Sequence, residues 1–392
     1  MNTDITDILA SSDGVLRLRP TFVARTWMTP GRRLGIADAD YDAGERGWIC
    51  ERWLASTTPA QNDVTFDGEG ISVVASAAGD IRLDQLVESA PAAVLGDEYA
   101  RTHDGLGRLA KIFDYGERVP FHIHPPADQA AKAGLRSKDE AYYFLPGVDL
   151  GPHPESFFGV HSSLTAEQAA EELVAHLEAW DSDRVLALSK AYKLFPEGGY
   201  FVPSGVLHGP GTALTLELQE DSDAMAFLQA TAGDVALSKD LLFANLEPAE
   251  RAERHERAIL DWIDWEANLH PDFHRAFATE PRVFETGPGV EWAWVFWGGP
   301  RFVGKRLRLA PGARAVVREE GAYSVLVWRG SGAVGDSEVR GGRPGQDELL
   351  ITAEAARRGL VVQNTGEGEL EAVLFFGPDV VAGAPLLEEV AA

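Results

Sequence analysis

Short apolar runs of strand length, cut at close intervals by glycine, proline and aspartate, constrain this chain more than any other feature. Gly70-Ile71-Ser72-Val73-Val74 and Leu109-Ala110-Lys111-Ile112-Phe113 are typical of residues 18–125. Runs this short suit strands better than helices, and the residues between them are those that tolerate turn backbone. Forty glycines and 22 prolines supply the turns. The expectation is a mostly β fold built on a sandwich or barrel. At 392 residues the chain is too long for one ordinary core, so more than one unit is expected.

Two stretches break the β pattern. Thr165 and Gln168 have the spacing of a capping box, and Leu173, Leu177 and Trp180 then share a helical face, so a helix is expected over residues 165–181. Pro248 suits a first helical turn, and Ile259, Trp262, Ile263 and Glu266 repeat at helical spacing until His270-Pro271 ends the segment. Strand candidates return at 290–296, 306–309, 323–328, 349–352, 359–363 and 371–376. Gly330-Ser331-Gly332 and Asn364-Thr365-Gly366 are the clearest turns there. The pattern divides into a first β unit over 1–235 with a helical insertion near 164–190, a helical connector over 236–280, and a second β unit over 281–392.

Charge and cysteine usage remove several function classes. A formal net charge of -26 disfavours nucleic acid and anionic membrane surfaces as partners. The single cysteine, Cys50, excludes an intramolecular disulfide and a thiolate-built zinc site. No apolar run is long enough to span a bilayer, and the first residues lack the basic start and apolar stretch of a signal peptide. A cytoplasmic protein is the expectation.

The chemistry concentrates in three segments. Val119-Pro120-Phe121-His122-Ile123-His124-Pro125 sets two imidazoles two residues apart, hence on one face of a strand. Glu140 opens the apolar run Ala141-Tyr142-Tyr143-Phe144, and His208 follows the Pro203-Ser204-Gly205 turn. A His-x-His pair alone is a weak signal. The pair joined to a carboxylate at a strand start and a third histidine after a turn is far more specific. Three imidazoles and one carboxylate suit one divalent ion: zinc, manganese, iron, cobalt or nickel. His103, His153, His161, His176 and His255 lack any such frame and are expected at the surface or in structural roles.

The set His122, His124, Glu140 and His208 resembles the metal motif of the cupins, and its wider context resembles class I mannose-6-phosphate isomerases. The matching segments are Lys111, His122-Ile123-His124-Pro125, Lys138-Asp139-Glu140, Pro203-Ser204-Gly205-Val206-Leu207-His208 and Glu217-Leu218-Gln219-Glu220-Asp221-Ser222-Asp223. Glu51-Arg52-Trp53-Leu54-Ala55-Ser56 and Leu83-Asp84-Gln85-Leu86-Val87 are also similar to that family. The likeness covers roughly residues 18 to 230. It implies two cupin (jelly-roll) barrels, zinc as the first choice of ion, and a small-molecule sugar or sugar phosphate as substrate. Two positions depart from the family: Pro120 stands where a phosphate-binding serine is usual, and Phe227 where an arginine tied to catalysis is usual. His122 replaces the usual glutamine and keeps metal binding. The metal site therefore carries over, while the phosphorylated substrate does not.

If the chain is an aldose–ketose isomerase, Lys138 should share a face with Glu140, and Lys111 and Glu217 are the other candidates for proton handling or hydroxyl binding. Two other readings stand beside it: a cupin dioxygenase using the same ligands around iron, and a non-catalytic sugar-binding cupin. No histidine follows His274, so the second barrel is expected to lack a metal and to serve structure or a homodimer.

Overall fold

The computed structural model describes residues 5–387. Its strands form antiparallel sheets, and four of these stack in layers of five, six, nine and four strands. The five-stranded sheet runs Lys190–Lys193, Glu155–Phe158, His208–Gly209, His122–Ile123, Ala226–Phe227. The six-stranded sheet runs Gly199–Val202, Glu140–Phe144, Thr215–Gln219, Leu109–Phe113, Trp48–Leu54, Thr21–Arg25. Side chains of these two meet in one core that includes Phe113, Tyr142, Phe158 and Phe227. The sheets of nine and four strands enclose a second core, with Leu307, Val325, Leu349, Val362 and Leu374.

The two central sheets lie back to back. Ala110, Ile112, Ala141, Tyr143, Leu216 and Leu218 of one meet Val295, Phe296, Val373 and Phe375 of the other. A sheet covered on both faces must bury every residue of its strands, and Glu140–Phe144 and Leu370–Phe376 are buried throughout. Each large apolar side chain so buried contributes about 1.5–3 kcal/mol relative to exposure. In the outer four-stranded sheet, Leu360–Asn364 alternates buried and exposed, as one wetted face requires. The period of two also sorts the six-stranded sheet chemically. Ala110, Ile112, Leu216 and Leu218 point to the other unit, whereas Lys111, Glu140 and Glu217, out of phase with them, join the polar cluster described below.

The sheets follow one another as sandwiches, and none closes on itself, so the expected barrels take the form of facing open sheets. The N-terminal strand Val15–Arg19, which sequence grouping places with the first unit, hydrogen-bonds to the second: Val15 lies opposite Ile351 and Leu16 opposite Leu350. Buried ion pairs also bind the units together. Arg52 reaches Asp347 at 2.7 Å and Glu348 at 2.9 Å.

Helices cover the outer face of the five-stranded sheet. Ala166–Ala179 starts at Thr165, whose side chain accepts from the Gln168 amide while Gln168 returns a bond to the Thr165 amide, the expected capping box. Leu173 and Leu177 pack with Phe121 and Ile123 of the sheet beneath. The second helical stretch is not continuous. His255 adopts φ 52°, outside the helical region, and splits it into Pro248–Arg254, a tighter turn over His255–Trp262, and Trp265–Asn268. Ile259, Trp262 and Ile263 are buried as expected, but Glu266 is exposed. The Gly330-Ser331-Gly332 turn also needs correction. Only Gly330 turns, at φ 85° with a would-be Cβ 2.5 Å from the Glu369 carbonyl oxygen, and Ser331–Val334 is a strand. No helix among the described residues is long and apolar enough to cross a membrane.

Candidate metal centre

The four residues singled out in the sequence meet between the five- and six-stranded sheets. His122 and His208 are direct neighbours on adjacent strands, and Glu140 starts the strand facing them. His124 lies one residue past the end of its strand. One donor atom from each of the four lies within 4.8 Å of the others, and all four residues are buried.

Hydrogen bonds orient the imidazoles. Nδ1 of His122 donates to the Pro120 carbonyl at 2.7 Å, Nδ1 of His124 to Ala224 at 2.8 Å, and Nδ1 of His208 to Val206 at 2.8 Å. A carbonyl can only accept, so each Nδ1 carries the proton and each Nε2 keeps its lone pair. Nε2 of His124 lies 3.0 Å and Nε2 of His208 2.9 Å from the Glu140 carboxylate, acceptor against acceptor. Protonation of the His124 ring does not relieve this. Burial and the neighbouring imidazoles hold His122 well below its ordinary pKa, and burial with Lys138 lowers His124 to about 3. His208 Nε2 is a buried polar atom with no hydrogen-bond partner. Three lone pairs and a carboxylate turned on one point fit a divalent cation.

Burial alone would raise the Glu140 carboxyl. The Lys138 ammonium outweighs it and holds Glu140 well below the usual carboxylate range. Lys138 Nζ lies 2.8 Å from Glu140, 3.2 Å from His124 Nε2 and 3.4 Å from Glu217. Despite its burial, the two carboxylates keep its pKa raised. Burial, with Glu140 adding to it, pushes Glu217 up to about 8 against the pull of Lys111 and Lys138. Tyr142 donates to Glu140 as well. All seven residues expected at the site thus meet in one cluster: His122, His124, Glu140, His208, Lys138, Glu217 and Lys111.

The cluster extends further than sequence reasoning reached. Lys111 lies 3.5 Å from Glu217 and 3.8 Å from Glu51. Glu51 takes a bidentate contact from Arg25 at 2.6 and 3.1 Å, and Arg25 also reaches Asp223 at 3.2 Å. The result is an alternating line of buried acidic and basic side chains, Asp223, Arg25, Glu51, Lys111, Glu217, Lys138, Glu140, in which each basic group sits between two acidic ones. Glu51 and Asp223 lie in the quoted Glu51-Arg52-Trp53 and Glu217-to-Asp223 segments. Arg25 had only one signal, a charge directly after the apolar run Phe22-Val23-Ala24.

Trp27 and Phe227 pack edge to face at 4.9 Å, and the Phe227 ring lies 6.0 Å from that of His122. Outside them is a cavity of about 380 Å³ whose walls include Arg25, Asn62, Asp223 and Asn245. Neither this cavity nor one of about 470 Å³ at Glu197, Tyr200 and Arg306 has any of the seven expected site residues in its wall, but the first is lined by Arg25 and Asp223 at the end of the charge line. Among the described residues the other histidines join no second such group: His103, His153, His176 and His270 are half-buried, and His161, His255 and His274 exposed.

No family model matches the sequence, and no curated protein matches it. Solved structures do match across nearly the whole chain. A mannose 6-phosphate isomerase from Bacillus subtilis superposes with TM-score 0.65 at 19% identity, over 92% of this chain and 99% of that one. A phosphomannose isomerase from Salmonella typhimurium gives 0.67 at 12%, over 93% and 100%. A zinc-bound mannose 6-phosphate isomerase gives 0.66 at 14%, over the same shares. At these identities the likeness shows a shared fold.

Proposed function

We propose that the protein is a metal-dependent aldose–ketose isomerase acting on a sugar or sugar phosphate. In this reading one divalent ion, zinc first, is held by His122, His124, His208 and Glu140, and the two sandwiches are the jelly rolls of a two-barrel cupin. The carrying observation is the convergence of three oriented Nε2 lone pairs and a carboxylate beside two further buried ionisable side chains, Lys138 and Glu217. The fold likeness to mannose 6-phosphate isomerases supports it.

When bound, the ion supplies Lewis-acid polarisation of substrate oxygens. The chain's own groups handle protons and charge. Ionised Glu217 takes the proton from the hydroxyl-bearing carbon beside the carbonyl and returns it to the former carbonyl carbon, while the hydroxyl proton passes to the former carbonyl oxygen; Glu217 Oε1 is buried without a hydrogen-bond partner. Lys138, kept cationic by its two carboxylates, stabilises negative charge on the substrate oxygen. Lys111, 3.5 Å from Glu217 Oε2, holds that carboxylate in place.

Protein loaded with zinc or manganese and screened against aldoses, with and without phosphate, tests this. Turnover is expected, and Glu217→Gln should lower it by about 10²–10⁴-fold while one metal per chain is retained. Retained turnover in that variant removes Glu217 from the chemistry. A second reading, a sugar-binding protein without turnover, draws on the burial of all four ligands behind Phe227. Stabilisation by sugars with no conversion would favour it. Oxygen uptake with iron would favour a dioxygenase.

A further inference from the structure

The substrate class can be taken further, on the premise that the isomerase reading holds. We infer that the cavity walled by Phe227, whose ring lies 6.0 Å from that of His122, and by Arg25 and Asp223 of the buried charge line admits a neutral polyhydroxy aldehyde or ketone and excludes its phosphate ester. At about 380 Å³ it falls within the usual range of ligand sites, about 300–1,000 Å³.

A phosphate requires donors that are free to turn to it, above all arginine or lysine forks. The one cation in this wall is Arg25, and its guanidinium is already committed. Nε and Nη2 donate to Glu51, Nη2 also to Asp223, and Nη1 to the Gln61 carbonyl, Asn62 and Asp223. Lys111 and Lys138, deeper in, are each bridged by two carboxylates. The wall itself adds Asp63 and Asp223, so two carboxylates stand against one saturated cation. The adjoining cavity, which shares Asp63, brings Arg251 only together with Asp240, its partner at 3.2 Å. A net charge of -26 supplies no compensating long-range attraction.

Hydroxyl groups make the opposite demand. They both donate and accept, so Asp223, held by Arg25 and the Gln61 amide, can accept hydrogen bonds from them. The Asn245 amide oxygen, whose Nδ2 donates to the Met225 carbonyl, can accept from them as well. The Trp27 and Phe227 rings offer apolar faces to the C–H side of a sugar ring. The wall is therefore polar without being cationic, as a neutral polyol needs.

The test compares kcat/KM of zinc- or manganese-loaded protein for aldohexoses and their 6-phosphates. The neutral sugar is expected to be favoured at least 100-fold, and Asp63→Lys, at an exposed position, should narrow that ratio at least fivefold. An ester used as well as its parent sugar overturns the inference and leaves the isomerase reading intact. No turnover of either rejects the isomerase reading instead. Calorimetric titration of the same pair then decides the inference: binding of the sugar without the ester upholds it, and ester binding, or no binding of the sugar, overturns it.

Discussion

Arg25→Met probes the line of buried charges directly. Arg25 is 1% exposed and separates Glu51 from Asp223, each also 1% exposed. Methionine keeps much of the apolar stem and removes the charge. Glu51 would then retain Lys111 at 3.8 Å and the Tyr115 hydroxyl at 2.6 Å, and Asp223 the Gln61 amide at 3.0 Å. Unit charges about 4 Å apart attract by about 4 kcal/mol at an effective dielectric of about 20. Removing one partner of a buried pair typically costs about 3–5 kcal/mol, because the other charge is stranded. The expected loss is about 3–5 kcal/mol at pH 7.

The pH dependence identifies the cause. Burial alone would raise Glu51, but Arg25 and Lys111 outweigh it and hold the carboxyl well below its ordinary value. A depressed carboxyl contributes stability that is full above its unfolded pKa, about 4.3, and is lost as pH falls through the folded value. The variant lacks most of that contribution, so its deficit should be largest near neutral pH and shrink as pH falls below about 4. Urea denaturation followed by fluorescence of the ten tryptophans reads it. A deficit under about 1 kcal/mol at pH 7, the range of an exposed pair, would refute the reasoning. So would one that does not change with pH, which would mark a packing loss.

His124→Ala should reduce bound divalent metal from one equivalent per chain to near zero by elemental analysis, since the Nε2 it removes is one of four convergent ligands; two equivalents in the unaltered protein would contradict a single centre. Thr165→Ala should cost about 1 kcal/mol in urea melts by removing the side-chain acceptor of the capping box, and no loss would mean solvent replaces that bond fully.

Much of the metal centre was legible in the sequence because its geometry is local. A spacing of two puts His122 and His124 close together, a strand start displays Glu140, and a Pro-Ser-Gly turn sets His208. The Thr165 cap and the Asn364 turn were legible for the same reason: their hydrogen bonds join residues at most a few positions apart, as when Asn364 Oδ1 accepts from the Gly366 amide. Strand candidates such as 290–296 and 371–376 followed from runs of apolar residues.

What only the tertiary structure decided are the choices of distant partner. Val15 pairs with Ile351, and Arg25 finds Asp223, 198 residues away. No periodicity encodes such matches, since strand edges present the same amide and carbonyl groups to any partner. The buried ion pairs are selected by desolvation, which exists only once the sheets have closed over them. The stacking of the six- on the nine-stranded sheet is likewise a property of two assembled surfaces. Ala110 and Lys111 are neighbours in the chain, yet one faces the other unit and the other the charge cluster. The sequence fixes that they point apart; the packing of the layers decides what each one meets.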